Sequence, residues 1–230
     1  MKRLFYLFAL VAICLFFVQC EQSESTINYI QQISGDEEGH EYVDLGLPSG
    51  LKWATCNVGA TKPEEYGNYF AWGEIEPKTS YSAENYKWYD ISTKNITKYN
   101  SKDSLYTLQP GDDAATANWG GAWRMPTKEE QQELLDTTIT TCEWINLNGV
   151  RGCKVTGPNG NSIFLPAAGY RYMHDNVCDS IHVGSVGYYW SRSLNTSKET
   201  TAYEMCWPSD DQKCDYYKRH CGQSVRPVCK

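Results

Sequence analysis

The chain has 230 residues, 41% of them hydrophobic, with a net charge of −7 and a pI near 5.2. That balance offers no electrostatic footprint for nucleic acid and argues against adhesion to anionic lipid. Eight Trp, 17 Tyr, 18 Gly and ten Cys describe one aromatic-rich, turn-rich domain suited to an oxidising compartment.

Lys2 and Arg3 precede a run without charge, Leu4 to Val18, followed by Gln19, Cys20 and the polar stretch from Glu21 to Ser25. This is the layout of a secretory signal peptide over residues 1–19. The apolar run falls short of the roughly 20 residues a membrane span needs. The cysteine that ends it resembles the acylation site of a bacterial lipoprotein. That resemblance implies a lipid on Cys20, a membrane partner through that lipid, and a place in the cell envelope, at the surface of the outer membrane. Phe17 and Gln19 depart from the usual lipobox, so a plain cleaved leader or an uncleaved anchor are the other readings. Losing Lys2 and Arg3 with a leader moves the net charge from −7 to −9. Residues 20–40 are polar and read as a tether, leaving a folded domain over residues 41–230.

Within that domain, Leu51–Val58 and Asn68–Trp72 read as short strands. Residues 74–110 carry Tyr81, Tyr86, Trp88 and Tyr89 among Lys, Ser, Thr and Asn, and form a long loop-rich excursion of the kind that is often functional. Pro110-Gly111 introduces a short helix over Asp112–Ala117, with acids near its N-terminus. Thr127 followed by Glu130 is a capping box for a second helix, with Leu134 and Leu135 on its buried face. From Cys142 onward the chain reads as strands and turns. Asn148-Gly149 marks a hairpin, Ser162–Leu165, Tyr188–Ser191 and Thr201–Trp207 are strands, and Tyr216–His220 is expected to pair with Ser224–Val228. Two helices among many antiparallel strands make an α+β fold.

Cys14 leaves with the leader, and Cys20 is used if acylated. Cys56, Cys142, Cys153, Cys178, Cys206, Cys214, Cys221 and Cys229 then form an even set, expected to make disulfides. Cys142 and Cys153 are expected to bridge the Asn148-Gly149 hairpin. A four-residue loop over 146–149 places them face to face. A two-residue loop sets Trp144 opposite Cys153 and leaves the cysteines diagonal, roughly 7–8 Å apart. The four-residue loop is the expectation. No C-x-x-C occurs and the four His are scattered, so neither a metal nor another cofactor is expected.

Four segments taken in order resemble the Fibrobacter succinogenes major paralogous domain. They are Val43-Asp44-Leu45-Gly46-Leu47-Pro48-Ser49-Gly50-Leu51-Lys52-Trp53-Ala54-Thr55-Cys56-Asn57-Val58-Gly59-Ala60, Trp119-Gly120-Gly121-Ala122-Trp123-Arg124-Met125-Pro126-Thr127, Gly187-Tyr188-Tyr189-Trp190-Ser191 and Ser224-Val225-Arg226-Pro227-Val228-Cys229. The resemblance implies a C-type-lectin-like fold, with twisted antiparallel sheets, about two helices and long loops. It also implies that the terminal strands lie together, with Cys56 bonded to Cys229. Arg124-Met125-Pro126-Thr127 is similar to a helix entry in formylglycine-generating enzymes, but no thiol or copper motif accompanies it. Lys78 in Glu76-Pro77-Lys78 puts a cation where a calcium-binding lectin has an oxygen ligand. Asp210 and Asp211 read as a solvated turn.

The expected function is non-catalytic binding of a glycan or a surface protein through the long loops, with Tyr81, Tyr86, Trp88 and Tyr89 as stacking candidates. The same four aromatics could instead fold inward as a local core. A structural or accessory role in an envelope complex, and an enzyme of formylglycine-generating-like fold, are the alternatives.

Overall fold

Local signals set the two helices. In the computed structural model, which describes residues 32–174, 177–208 and 212–230, Pro110–Asp112 forms a 3-10 turn leading into α1 (Ala114–Trp119). Asp113 caps α1 by accepting from the Ala115 and Thr116 amides, and it also accepts from Met125 N. In α2 (Lys128–Leu135), Thr127 and Glu130 form the full capping box. Arg124 adds paired hydrogen bonds of 2.6 Å to the Glu130 carboxylate. Charge-assisted forked pairs of this kind fix orientation as well as energy.

The strands form separate antiparallel sheets. One has the order β1 (Gly35–Glu37), β2 (His40–Asp44), β3 (Lys52–Ala54) and β14 (Val228–Cys229). The expected tether is therefore shorter than proposed, because Gly35 to Asp44 already form a hairpin. Trp123 Nε1 donates to the Glu37 carbonyl, which fastens that hairpin to the domain. The leader, Cys20 and residues 20–31 lie outside the described residues. A second sheet is the meander of β6 (Thr141–Leu147), β7 (Val150–Thr156) and β8 (Ser162–Pro166). A third is the meander of β11 (Gly187–Leu194), β12 (Thr201–Trp207) and β13 (Lys213–Lys218). Two small hairpins complete the set, β4 (Tyr89–Asp90) with β5 (Asn95–Ile96) and β9 (Tyr170–His174) with β10 (Val177–Ile181).

Several strand expectations need correction. Leu51–Val58 contracts to Lys52–Ala54, and Asn68–Trp72 supplies only one bridge, Phe70 with Gln223. Tyr216–His220 does not pair with Ser224–Val228. The first belongs largely to β13, which pairs with β12, and Val228 pairs with Trp53 of β3. At the Asn148-Gly149 turn the loop has two residues, with Leu147 facing Val150 and Trp144 facing Cys153. Both turn residues have positive φ, 50° and 85°, as a primed turn requires. The Cys142–Cys153 disulfide nevertheless forms across the diagonal, with Cα atoms 5.8 Å apart. The right-handed twist of a hairpin draws one diagonal closer than in a flat pair.

Among the described residues no second disulfide is formed. Cys56, Cys206, Cys214, Cys221 and Cys229 are thiols, and the side chain of Cys178 lies outside the described residues. Cys229 faces Lys52, four residues before Cys56, so the register keeps that pair apart. Cys206 faces Lys213 while Cys214 faces Met205, which places the two sulfurs on opposite faces of the β12–β13 pair. Burial pushes the thiols of Cys206, Cys214 and Cys221 up to about 12 and that of Cys229 to about 11. At neutral pH they are protonated, apolar packing groups rather than nucleophiles.

The main core gathers Val43, Leu45, Trp53, Leu134, Ile163, Tyr189, Met205, Trp207 and Val228 from three sheets and α2. A second core packs Phe70, Trp72 and Tyr99 against Ala114, Met125, Trp190 and Val225. Each buried Trp removes roughly 150–250 Å² from water, worth about 4–6 kcal/mol of transfer free energy. Trp72 Nε1 donates to the Ser191 carbonyl and Trp190 Nε1 to the Phe70 carbonyl, both at 2.8 Å. This exchange holds the start of the long excursion against β11.

Candidate ligand-binding site

The long excursion is organised by its own polar side chains. Asp112 accepts from Lys87 Nζ (3.1 Å), Lys98 Nζ (2.6 Å) and the Tyr99 hydroxyl (2.7 Å). Burial pushes its carboxyl up, but the hydrogen bonds from Lys98, Tyr99 and Lys87 outweigh this and hold it below the usual range. From the other side comes Arg219, which is 1% exposed. Its guanidinium donates to the Tyr86 hydroxyl and to the carbonyls of Lys98, Tyr99 and Glu199, at 2.8–3.1 Å. It also lies over the Trp72 ring at 4.6 Å. One side chain thus ties three loops to the end of β13.

Two of the four proposed stacking residues are walls of a local core. Tyr81 and Tyr86 are buried with Tyr69, Ala71 and Ala168. The Tyr81 hydroxyl donates to the Tyr69 carbonyl at 2.5 Å, and the Tyr86 hydroxyl donates to the Trp72 carbonyl at 2.7 Å. Burial holds the Tyr86 phenol well above its ordinary value. Trp88 is half-buried. Its Nε1 donates to the Gly73 carbonyl, Tyr99 meets it edge-on, and the amines of Lys87 and Lys98 lie over its ring at 4.3 and 5.0 Å. Gly73, at φ 78°, leaves the space the indole fills. Only Tyr89 retains a partly open ring beside a concavity.

That concavity has a volume of about 220 Å³ and is lined by Tyr86, Tyr89, Ile96, Lys218, Arg219 and His220, with Ala83, Lys198, Thr200 and Thr201 at its rim. It adjoins a wider groove of about 460 Å³ that shares Ile96, Lys198 and Thr200 and adds Lys94, Asn100, Ser101, Lys102, Thr196 and Glu199. Glu199 accepts from Ser101 N at 2.6 Å, joining the two walls. His220 stands 5.9 Å from the Tyr172 ring. Burial, reinforced by Lys218 and Lys78, pushes its imidazole down to about 4, so it is neutral at pH 7 and can both donate and accept. A third concavity, about 420 Å³, lies between Tyr69, Lys78, Tyr81 and Arg171.

Lys78 occupies the oxygen donors of its neighbourhood. Its amine is 2.9 Å from Glu74 Oε2 and bonds to the carbonyl and side-chain oxygens of Asn85. Among the described residues, no group of three His, Cys, Asp or Glu could hold a metal ion. Asp210 and Asp211 lie outside the described residues. No helix among the described residues is long and apolar enough to cross a membrane.

His220, Ile96 and the groove lysines were not among the sequence candidates. One signal was available: between residues 85 and 102 the lysines Lys87, Lys94, Lys98 and Lys102 face a single acid, Asp90, in a chain that is acidic as a whole. Comparison with known families, with curated proteins and with solved structures yields no match.

Proposed function

We propose that this chain is a non-catalytic binding domain of C-type-lectin-like architecture, held in the cell envelope by a lipid on Cys20, that takes a glycan on its loop face without calcium. The observation that carries this reading is the concavity between the long excursion and the ends of β12 and β13. It joins an apolar floor of Tyr89 and Ile96 to the neutral His220 and a polar rim. Apolar floors with a few convergent polar groups are the usual make-up of small-ligand sites. The pairing of β14 with β3, which brings the domain's ends together, supports the lectin-like reading. The occupation of Glu74 and Asn85 by the Lys78 ammonium supports independence from calcium.

The test is a glycan array. Full-length protein is extracted from membranes in detergent, its N-terminal peptide is weighed for the lipid on Cys20, and it is applied with and without a chelator. Wild type is expected to bind the same glycans in both conditions, and Tyr89→Ala, assayed well below its own melting temperature, to lose at least tenfold in affinity while its circular dichroism shows it folded. Binding abolished by the chelator, or untouched by Tyr89→Ala, overturns the placement.

A further inference from the structure

We infer that the ligand of this site is an acidic saccharide, one carrying carboxylates or sulfate esters, with its sugar face against Tyr89 and Ile96 and its charges in the adjoining groove. This deepens the proposed function and rests on it. The groove is lined by Lys94, Lys102 and Lys198, and Lys218 lines the smaller concavity beside it. Several other basic side chains are held in ion pairs, Lys78 with Glu74, Lys87 and Lys98 with Asp112, Arg124 with Glu130 and Lys213 with Asp215, so the groove is marked by where its lysines gather. Among the described residues, the amines of Lys94, Lys102 and Lys198 have no ion-pair partner, and Lys218 only approaches the Tyr172 ring at 5.3 Å.

The acids near the groove are turned into its own scaffold. Asp90 accepts from Ser92 and Thr93, Asp103 from the amides of Tyr99, Asn100 and Leu105, and Glu199 from Ser101 N. Their oxygens accept from main-chain donors and keep their charge, while Lys94, Lys102 and Lys198 outnumber Glu199 in the groove lining. In a chain of net charge −7, a local concentration of uncommitted ammonium groups at the mouth of a cavity is a place where an anion gains attraction that a neutral sugar does not. Glu84, next in sequence to the lining Ala83, opposes Lys218 and Lys78 in their effect on His220.

The experiment measures affinity of the full-length protein in detergent for hexasaccharides of galacturonic acid and of chondroitin sulfate, against neutral hexasaccharides of glucose and galactose. Salt is varied from 50 to 500 mM. Acidic chains are expected to bind at least tenfold more tightly than neutral ones at low salt, with the advantage shrinking as salt screens it. Lys102→Gln with Lys198→Gln should remove that advantage and leave the melting temperature unchanged. Neutral chains bound as well as acidic ones, with Tyr89→Ala still weakening them, would sink this inference and keep the glycan reading. Absence of binding to every saccharide would sink both. Equal binding of poly-glutamate, insensitive to Tyr89→Ala, would mark a polyanion surface without a sugar site and overturn the inference.

Discussion

Arg219 and Arg226 show how single residues organise this molecule. Both are essentially unexposed. Arg226 donates to Asn57 Oδ1 and to the carbonyls of Ala54, Thr55 and Phe164, while Arg219 serves the loops of the candidate site. A planar guanidinium with five donors suits this task, since several carbonyls from different segments can be satisfied by one group. Trp88 belongs to the same scaffold. With its Nε1 bonded, its edge against Tyr99 and two lysines over its face, it supports the excursion instead of offering a platform. Trp88→Ala should therefore cost about 3 kcal/mol in urea unfolding, with any loss of ligand affinity following the loss of stability. A variant as stable as wild type that no longer binds would return Trp88 to the role of a stacking residue.

At the scale of elements, legibility follows the range of the interaction. The start of α2 is legible because Thr127 lies within three residues of the amide it caps, whereas the helix expected over Asp112–Ala117 begins two residues later, at Ala114, with Asp113 as its cap and not in its first turn. The Asn148-Gly149 turn is legible for the same reason as the start of α2. Its register is not, because a directly facing Cys142–Cys153 pair calls for a four-residue loop while the φ preference of Asn-Gly calls for two, and the turn prevails. Asn68–Trp72 reads as a strand but forms a single bridge, since its partners are Gln223 and Arg219, about 150 residues away, and nothing local announces them. The choice between stacking platform and local core, open in the sequence, is settled for Tyr81 and Tyr86 by packing. Residue type marks Tyr81 and Tyr86 as aromatic, but only the packing of Tyr69, Ala71 and Ala168 against them decides that they are interior. The Cys142–Cys153 bond closes a short loop with a separation of 11 residues, which in the chain-entropy model is worth about 3 kcal/mol. Replacing both cysteines by Ser should lower the unfolding free energy by about that amount under non-reducing conditions, with an unchanged sheet signal in circular dichroism. A double variant of wild-type stability would show that the hairpin holds its register without the bond.

Across the whole molecule the last segment is the closing piece, and the resemblance-bearing Ser224-Val225-Arg226-Pro227-Val228-Cys229 has a physical reason for its composition. Gln223 N bonds to Phe70, Tyr189 forms a bridge with Ser224, Val225 fills the second core, Arg226 binds three carbonyls, and Val228 pairs with Trp53. The segment meets the β11–β12–β13 sheet at Glu204, which is 2% exposed and accepts a hydrogen bond from the Gln223 side chain. Burial raises the Glu204 carboxyl to about 8, with Asp215 across the strand pair adding to the rise and the Gln223 hydrogen bond and Lys213 opposing it. In the unfolded chain the same group titrates near 4.5. The folded protein therefore holds a proton between pH 4.5 and 8 that the unfolded chain has released. Stability from this group is complete below about pH 4.5 and falls as pH rises toward 8, at no more than about 1.4 kcal/mol per unit. Above pH 8 both states are ionised and the loss stays constant. Glu204→Gln keeps the shape and cannot ionise, so its unfolding free energy should vary less between pH 5 and 8 than that of wild type, with the largest gain over wild type at pH 8. Urea unfolding at pH 5, 6, 7 and 8 measures this directly. Parallel curves for the two proteins would mean that Glu204 is ionised in the fold, paired by a group other than Gln223, and that the joint between the closing segment and the central sheet is electrostatic rather than neutral.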